Sequence, residues 1–199
     1  RWRSLAAGGL IAYATVLLVL PFLIIVWASL LPFYIQPSLE GLARFTLKNY
    51  ATALHFPKIT DSIKNSILLG LGSASAVMVL TLLASWLLVR TKMRGRWLLD
   101  LMTTLPLLFP GIVMGLAILR FYLFVPIPVY GTLWILLIAF VTRYIPYGIR
   151  YTHSGLLQLH KELEEAAYTA GASWSNCMRR IILPLMTPSF LGGWVLIFL

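Results

Sequence analysis

The chain has 199 residues, of which 60% are hydrophobic and 11% charged, and its formal net charge is +10. Soluble domains carry about a quarter of charged residues, so this composition excludes an ordinary globular protein and points to a membrane protein. The basic excess carries no interleaved aromatics outside the apolar runs, which excludes a nucleic-acid-binding surface.

Arg1-Trp2-Arg3 precede a first apolar run over about 5–31. The run is too long for the apolar core of a signal peptide, and Pro32-Phe33 follow it instead of a small-residue cleavage site, so it is read as a retained span. Residues 32–62 then form the one large segment between runs, with Pro37, Gly41 and Pro57 as turn residues. Three more runs cover about 63–89, 98–124 and 131–149. Each approaches or exceeds the ~20 residues that cross a ~30 Å hydrocarbon layer as a helix. Four complete spans are expected. A fifth run starts near Pro188 and reaches Leu199, about 18 Å at the ~1.5 Å rise of a helix, so the chain is expected to be cut inside a span.

Features inside the runs carry expectations of their own. Arg120 in the third run costs about 2.5–3.5 kcal/mol at the bilayer centre, against roughly −5 to −9 kcal/mol from its apolar neighbours, so the span stands. Its place near the end of the run fits a side chain that snorkels to the interface. Pro106 and Pro110 are expected to kink this span, with the Thr103 and Thr104 hydroxyls relieving the freed carbonyls. Gly111 and Gly115, in a G-x-x-x-G arrangement, and Gly70 and Gly72 in the second run are expected to let helices pack closely. In the fourth run, Arg143 with Tyr144, Pro146 and Tyr147 suggests a broken, interfacial region with a structural or gating role.

Positive charges set the orientation. With the N-terminus inside, the inner segments hold Arg1, Arg3, Arg90, Lys92, Arg94, Arg96, Arg150, Lys161, Arg179 and Arg180, whereas the outer ones hold only Arg44, Lys48 and Lys58. Ten against three favours this orientation and places residues 150–187 in the cytoplasm. The six acidic residues, Glu40, Asp61, Asp100, Glu162, Glu164 and Glu165, lie in loops or at span ends, which argues against an ion-coupled channel or secondary transporter. His55, His153 and His160 are scattered, and His160 with Glu164 reads as a surface i,i+4 pair, so no catalytic or metal site is expected and no cofactor. A G-x-x-x-x-G-K-[ST] phosphate loop is absent, and ATP would have to be bound by another chain. The single cysteine, Cys177, is read as incidental.

The most informative segment is Glu165-Ala166-Ala167, three residues, Gly171, nine residues, then Ile181-Ile182-Leu183-Pro184. Leu159, Leu163, Ala166 or Ala167, and Ala170 make an apolar helical stripe that becomes small toward its end, while Lys161, Glu164 and Glu165 occupy the other face. Gly171 suits a helix C-cap that needs positive φ, and Ser173 suits the next N-cap. Pro184 and Pro188 are expected to stop the second helix.

This segment closely resembles the cytoplasmic EAA loop of permease subunits of binding-protein-dependent type I ABC importers, written E-A-A, three residues, G, nine residues, I-x-L-P. The resemblance implies an all-α, multi-span helical bundle, a single permease domain over 1–199, with Glu162–Gly171 as a cytoplasmic coupling helix. It implies that Glu165 makes a polar contact to an ATP-binding cassette ATPase, that Ala166 and Ala167 pack closely and that Gly171 makes the turn, with Glu162, Ile181, Leu183 and Pro184 in the same site. Further implied partners are a second permease half, a periplasmic or extracellular substrate-binding protein and the lipid of a bacterial plasma membrane. Phe45–Tyr50 followed by Asn65-Ser66 resembles the stretch that introduces the conserved core of such permeases, on which a binding protein would dock; a solvated connector would have the same composition. The strings Leu157–Ala167 and Pro188–Trp194 resemble ferric-iron permeases most, with spermidine/putrescine, thiamine, phosphonate and sulfate permeases sharing the general pattern.

Overall fold

A computed structural model describes residues 2–199, which form helices, turns and loops with no strand among them. Arg1 and the Arg3 side chain, two of the charges used for orientation, lie outside the described residues. The chain divides into two units, Arg1–Ile63 and Lys64–Leu199.

In the first unit, α1 (Trp2–Ser29) turns apolar side chains outward along most of its length, as a helix surrounded by lipid does. The last carbonyls of a helix lack partners within it, and here the following segment supplies donors. The Asn49 amide donates to the Ser29 carbonyl at 3.1 Å and the Leu31 carbonyl at 2.7 Å, and the Thr46 N–H to the Leu30 carbonyl at 2.8 Å. Trp27 donates its indole N–H to the Ile35 carbonyl at 2.9 Å and packs edge-to-face with Phe45, ring centres 5.0 Å apart. Two short helices, α2 (Leu39–Leu42) and α3 (Lys48–Leu54), complete this segment. It is folded onto the end of α1 and is no loose connector.

The second unit is organised by α4 (Ile59–Arg90), α7 (Leu133–Gln158) and α10 (Leu183–Phe198). Ala74, Val77 and Met78 of α4 and Ile197 of α10 form a buried cluster, flanked by Val141, Tyr144 and Tyr151 of α7. Close approach depends on three glycines. A Cβ on Gly148 would lie 2.7 Å from Val77 Cγ1, one on Gly155 2.6 Å from Ser189 Oγ, and one on Gly193 2.8 Å from Met78 Cε. Lipid tails are as apolar as leucine, so helices in a membrane associate through such contact and through interhelical hydrogen bonds. One of these joins the buried hydroxyls of Ser85 and Thr152 at 2.7 Å.

Several expectations need correction. Gly115 has no neighbour within 4 Å of a would-be Cβ, and Gly111 meets only the Arg143 guanidinium of α7 at 3.7–3.8 Å, so the G-x-x-x-G pair forms no close backbone crossing among the described residues. The third run is bent by 110° between residues 96–108 and Gly111–Phe124 and is not a kinked single rod. It comprises α5 (Arg96–Thr104), a 3-10 turn (Leu105–Leu108) and α6 (Gly111–Phe124). A residue before proline is pushed out of helical geometry. Phe109 obeys this at φ −104°, ψ 133° before Pro110, and the chain leaves the helix there. Thr103 and Thr104 donate to the Asp100 carbonyl, and not to the Met102 carbonyl that Pro106 leaves without a helical donor.

The fourth run runs unbroken through Pro146 to Gln158, past its expected end at Ile149, so no broken region surrounds Arg143. Residues 150–158 therefore belong to a helix and not to a loop. Nor do Pro184 and Pro188 stop the last helix. From α9 (Trp174–Cys177) through a π-helical turn (Met178–Ile182) into α10 the helix is continuous, a 25-residue candidate span from Trp174 to Phe198. The wider turn shifts the hydrogen-bond ladder, with the Leu183 N–H reaching the Met178 carbonyl. Pro184 then falls at the first turn of a new α-helical stretch, where a missing N–H costs little. Counting the bent pair as one, up to five helical segments are long and apolar enough to cross a membrane.

Replacing Gly148 with valine overpacks the α4–α7 crossing and is expected to destabilise the protein by about 1–3 kcal/mol, read as a lower midpoint of thermal unfolding in detergent, whereas Gly115→Val should leave it unchanged.

Candidate functional site

At the ends of α4 and α7 the chain builds a small polar-capped junction. The link from α7 to α8 (Glu162–Thr169) is only Leu159–Lys161. Two residues of α8 are buried, Glu164 and Ala167. They are three positions apart and so share one face of a helix. Ala167 joins Leu156, Cys177, Ile182 and Met186 in a second apolar cluster, with Leu82, Trp86 and Val89 of α4 packed against it. Trp86 and Trp174 meet edge-to-face, ring centres 6.1 Å apart.

Beside this cluster, Arg90, the last residue of α4, donates from Nε to Glu164 Oε1 at 2.6 Å and from one terminal nitrogen to the carbonyls of Leu159 at 2.7 Å and Leu156 at 3.2 Å. The two side chains are 7% and 10% exposed, and theirs is the one ion pair among the described residues. A buried carboxylate needs both a counter-charge and hydrogen bonds. Arg90 supplies these and also caps carbonyls that the end of α7 leaves free, where a cation is favoured. Glu164 is therefore no member of the polar outer face and makes no pair with His160; both expectations are corrected. The sequence held a signal for it, since an inward Ala167 puts Glu164 inward too.

The turn after α8 follows the expected chemistry. Gly171 has φ +82°, in the left-handed region that glycine enters without strain. The Ala172 N–H reaches the Ala167 carbonyl at 2.9 Å and the Gly171 N–H the Tyr168 carbonyl at 3.0 Å, the paired bonds of a Schellman cap. Ser173 caps α9 by accepting from the Asn176 N–H. Burial, followed by the Cys177 thiol and the Glu164 carboxylate, raises the Tyr168 phenol above its ordinary pKa.

The remaining sequence-predicted site residues divide into two groups. Glu162, Glu165, Ala166 and Gly171 are exposed together on α8 and its turn, along with Leu163 at 44% exposure. Ala167 is turned away from them into the cluster, Ile181 is half-buried against it, and Leu183 and Pro184 lie on the outside of the last helix. Ile182, between the two isoleucine–leucine positions singled out, is the one that is fully buried.

Residues 78–199 match the family described as the binding-protein-dependent transport system inner membrane component. The chain belongs to this family. That match covers α8, Arg90, the whole of the second apolar cluster and, of the first, Met78 and Ile197 but not Ala74 and Val77. Among similar proteins, the family member FbpB 1 of Haemophilus influenzae, provisionally named a ferric transport system permease protein, is 35% identical over 156 residues, 75% of this chain and 24% of its own length. The spermidine/putrescine transport system permease protein PotC of Escherichia coli is 29% identical over 154 residues, 77% of this chain and 58% of its own. The sulfate transport system permease protein CysT of Salmonella typhimurium is 28% identical, over 79% of this chain and 60% of its own. This inner-membrane component thus spans from about a quarter to three fifths of the length of these relatives. It is a multi-pass integral membrane protein with an all-helical fold.

Forcing a branched side chain into the left-handed turn costs about 1–2 kcal/mol. Gly171→Val is therefore expected to lower thermal stability by that amount with membrane insertion intact, and Gly171→Asn, which tolerates this region, should recover most of it; insertion assays and unfolding in detergent check both.

Proposed function

We propose that this chain is a permease component of an ATP-driven importer, that it lines a translocation pathway together with a second permease half, and that α8 is its coupling helix to a separate ATPase subunit. One observation carries this reading: α8 is anchored along one face by Glu164 and Ala167, and presents Glu162, Leu163, Glu165 and Ala166 on the other, inside the region that matches the family. A two-turn helix of this kind is too short to be stable alone. Its anchored face gives it a fixed position and its free face a small, acidic and apolar surface, suited to a groove that carries basic and apolar groups. The basic residues Lys92, Arg94, Arg96, Arg179 and Arg180 lie in segments adjoining this junction, which supports a cytoplasmic placement in a bacterial inner membrane. A substrate-binding protein would load the pathway from the extracytoplasmic side.

For the cargo we favour ferric iron. Support comes from the strings Leu157–Ala167 and Pro188–Trp194 and from the name of the Haemophilus influenzae relative; polyamine and sulfate are the named cargoes of the other two relatives.

The test of coupling is co-purification of the full-length protein with the ATPase subunits of its source, wild type against Glu165→Lys with Ala166→Leu. Both positions are exposed, so the variant should insert normally and lose the ATPase by at least tenfold. If no ATPase accompanies the wild type, the importer reading fails. Uptake of radioactive ferric iron by cells expressing the full system, with putrescine and sulfate as competitors, checks the cargo: competition by either one overturns iron.

A further inference from the structure

We infer that Arg90 is a positioning residue that ties movement of α8 to α4 and α7, so that the three shift as one body. The inference rests on the importer reading, since it assigns a role to the attachment of the proposed coupling helix.

The attachment of α8 has few parts. A three-residue link joins it to α7, and only two of its eight residues are buried. The Ala167 contact is apolar, and apolar contacts have no preferred direction, so a single methyl group in this cluster sets no angle for α8. The Arg90 contact is different in kind. A guanidinium is planar with donors in a fixed fork, so bonding through Nε and a terminal nitrogen together sets both position and angle. Its three acceptors lie on two elements, Glu164 of α8 and the Leu156 and Leu159 carbonyls at the end of α7. The arginine itself is the final residue of a 32-residue helix. One side chain therefore joins the ends of two spans to the first turn of α8.

The neighbouring position completes the link. Glu165 is exposed and Glu164 buried on the same turn. A force applied to α8 at Glu165 by a docked partner reaches Glu164 through one peptide unit, and Arg90 through a 2.6 Å ion pair. The sequence treated Arg90 as one more inward-side positive charge. Its geometry gives it a task that a lysine, which makes point contacts and no fork, does not reproduce.

The experiment uses the full-length protein assembled with its ATPase in lipid nanodiscs, with spin labels at Tyr168 on α8, outside the face proposed to dock the ATPase, and at Leu83 on α4, both exposed, in a Cys177→Ala background. Pulsed electron paramagnetic resonance measures the distance between them without nucleotide and with ATP trapped by vanadate. In the wild type the distance should be the same in both states. In Arg90→Gln and Arg90→Lys it should shift between them by about 1–2 Å or more, the scale of helix movements in switching proteins, and uptake should be lost while the ATPase still co-purifies. A merely structural role would change yield or melting temperature and leave the distance independent of nucleotide. A wild-type distance that itself changes with nucleotide, or Arg90 variants that keep a constant distance and normal uptake, overturns the inference while the importer reading stands. Failure of any ATPase to bind the wild type overturns the importer reading instead. Should the Arg90 variants not insert, Glu164 carries the same test. Glu164→Gln, which keeps an acceptor for Nε, should hold the distance constant, and Glu164→Ala should release it; equal behaviour of the two overturns the inference.

Discussion

The Arg90–Glu164 pair is the contact on which the arrangement of the second unit's polar end depends. Burial of two charges is costly, and replacing such a pair with apolar residues often stabilises a protein. Its value here is geometric. Without Arg90, Glu164 would be an unpaired buried carboxylate, and the carbonyls of Leu156 and Leu159 would lose a donor at the point where α7 ends. The face of α8 that carries Ala167 would then have no reason to stay turned inward, and Glu162, Glu165 and Ala166 would have no fixed direction outward.

Farther along the helices the forces change. Between α4, α7 and α10 no charge is buried, and contact follows from small residues and hydroxyls: Gly148 under Val77, Gly155 under Ser189, Gly193 under Met78, and the Ser85–Thr152 hydrogen bond. A hydrocarbon environment gives no hydrophobic drive to bring helices together, so close surfaces and polar ties must do it. At the polar end of the bundle, Leu156, Ile182 and Met186 are buried together beside the Arg90–Glu164 pair. The cluster under α8 thus lies where hydrophobic burial and the charged tie act together, and the proposed coupling helix is placed at the point of strongest attachment outside the spans.

Features of local chemistry were legible in the sequence. The apolar runs, Gly171 at positive φ and the Ser173 cap each follow from a residue's own preferences, and the structure shows all of them. Features that depend on a distant partner were not. Glycine spacing pointed to Gly111 and Gly115, which make no close crossing, and to Gly70 and Gly72, where a Cβ would lie 3.1 Å from Phe198 and 3.2 Å from Leu137; whether a glycine packs is decided by the helix opposite, and Gly148, Gly155 and Gly193 had no motif to mark them. Proline misled in both directions. Pro110 turned a kink into a 110° bend because it acted on Phe109, whereas Pro184 follows a π-helical turn that had already displaced the hydrogen bond it removes, and α10 continues past Pro188 inside it. Glu164 was hidden by the assumption that adjacent acidic residues share a surface; on a helix, neighbours in sequence are 100° apart, and Glu164 and Glu165 face different surroundings.

The division between what the relatives share and what they differ in bears on the proposed mechanism. Relatives named for ferric, spermidine/putrescine and sulfate transport each align over about three quarters of this chain, and the family match begins at residue 78, inside α4. A segment that is common to proteins with such different named cargoes, one a metal ion, one a polyamine, one an oxyanion, cannot owe its common pattern to recognition of any one of them. What it holds in this chain is α8, the Arg90 tie and the glycine-mediated crossings, all of which fix how helices sit against each other. In the proposed importer these parts would serve the conversion of an external push into a movement of spans, a task that is the same whatever is carried. Discrimination among cargoes would then fall to side chains outside these fixed crossings, at surfaces that only a second half would complete.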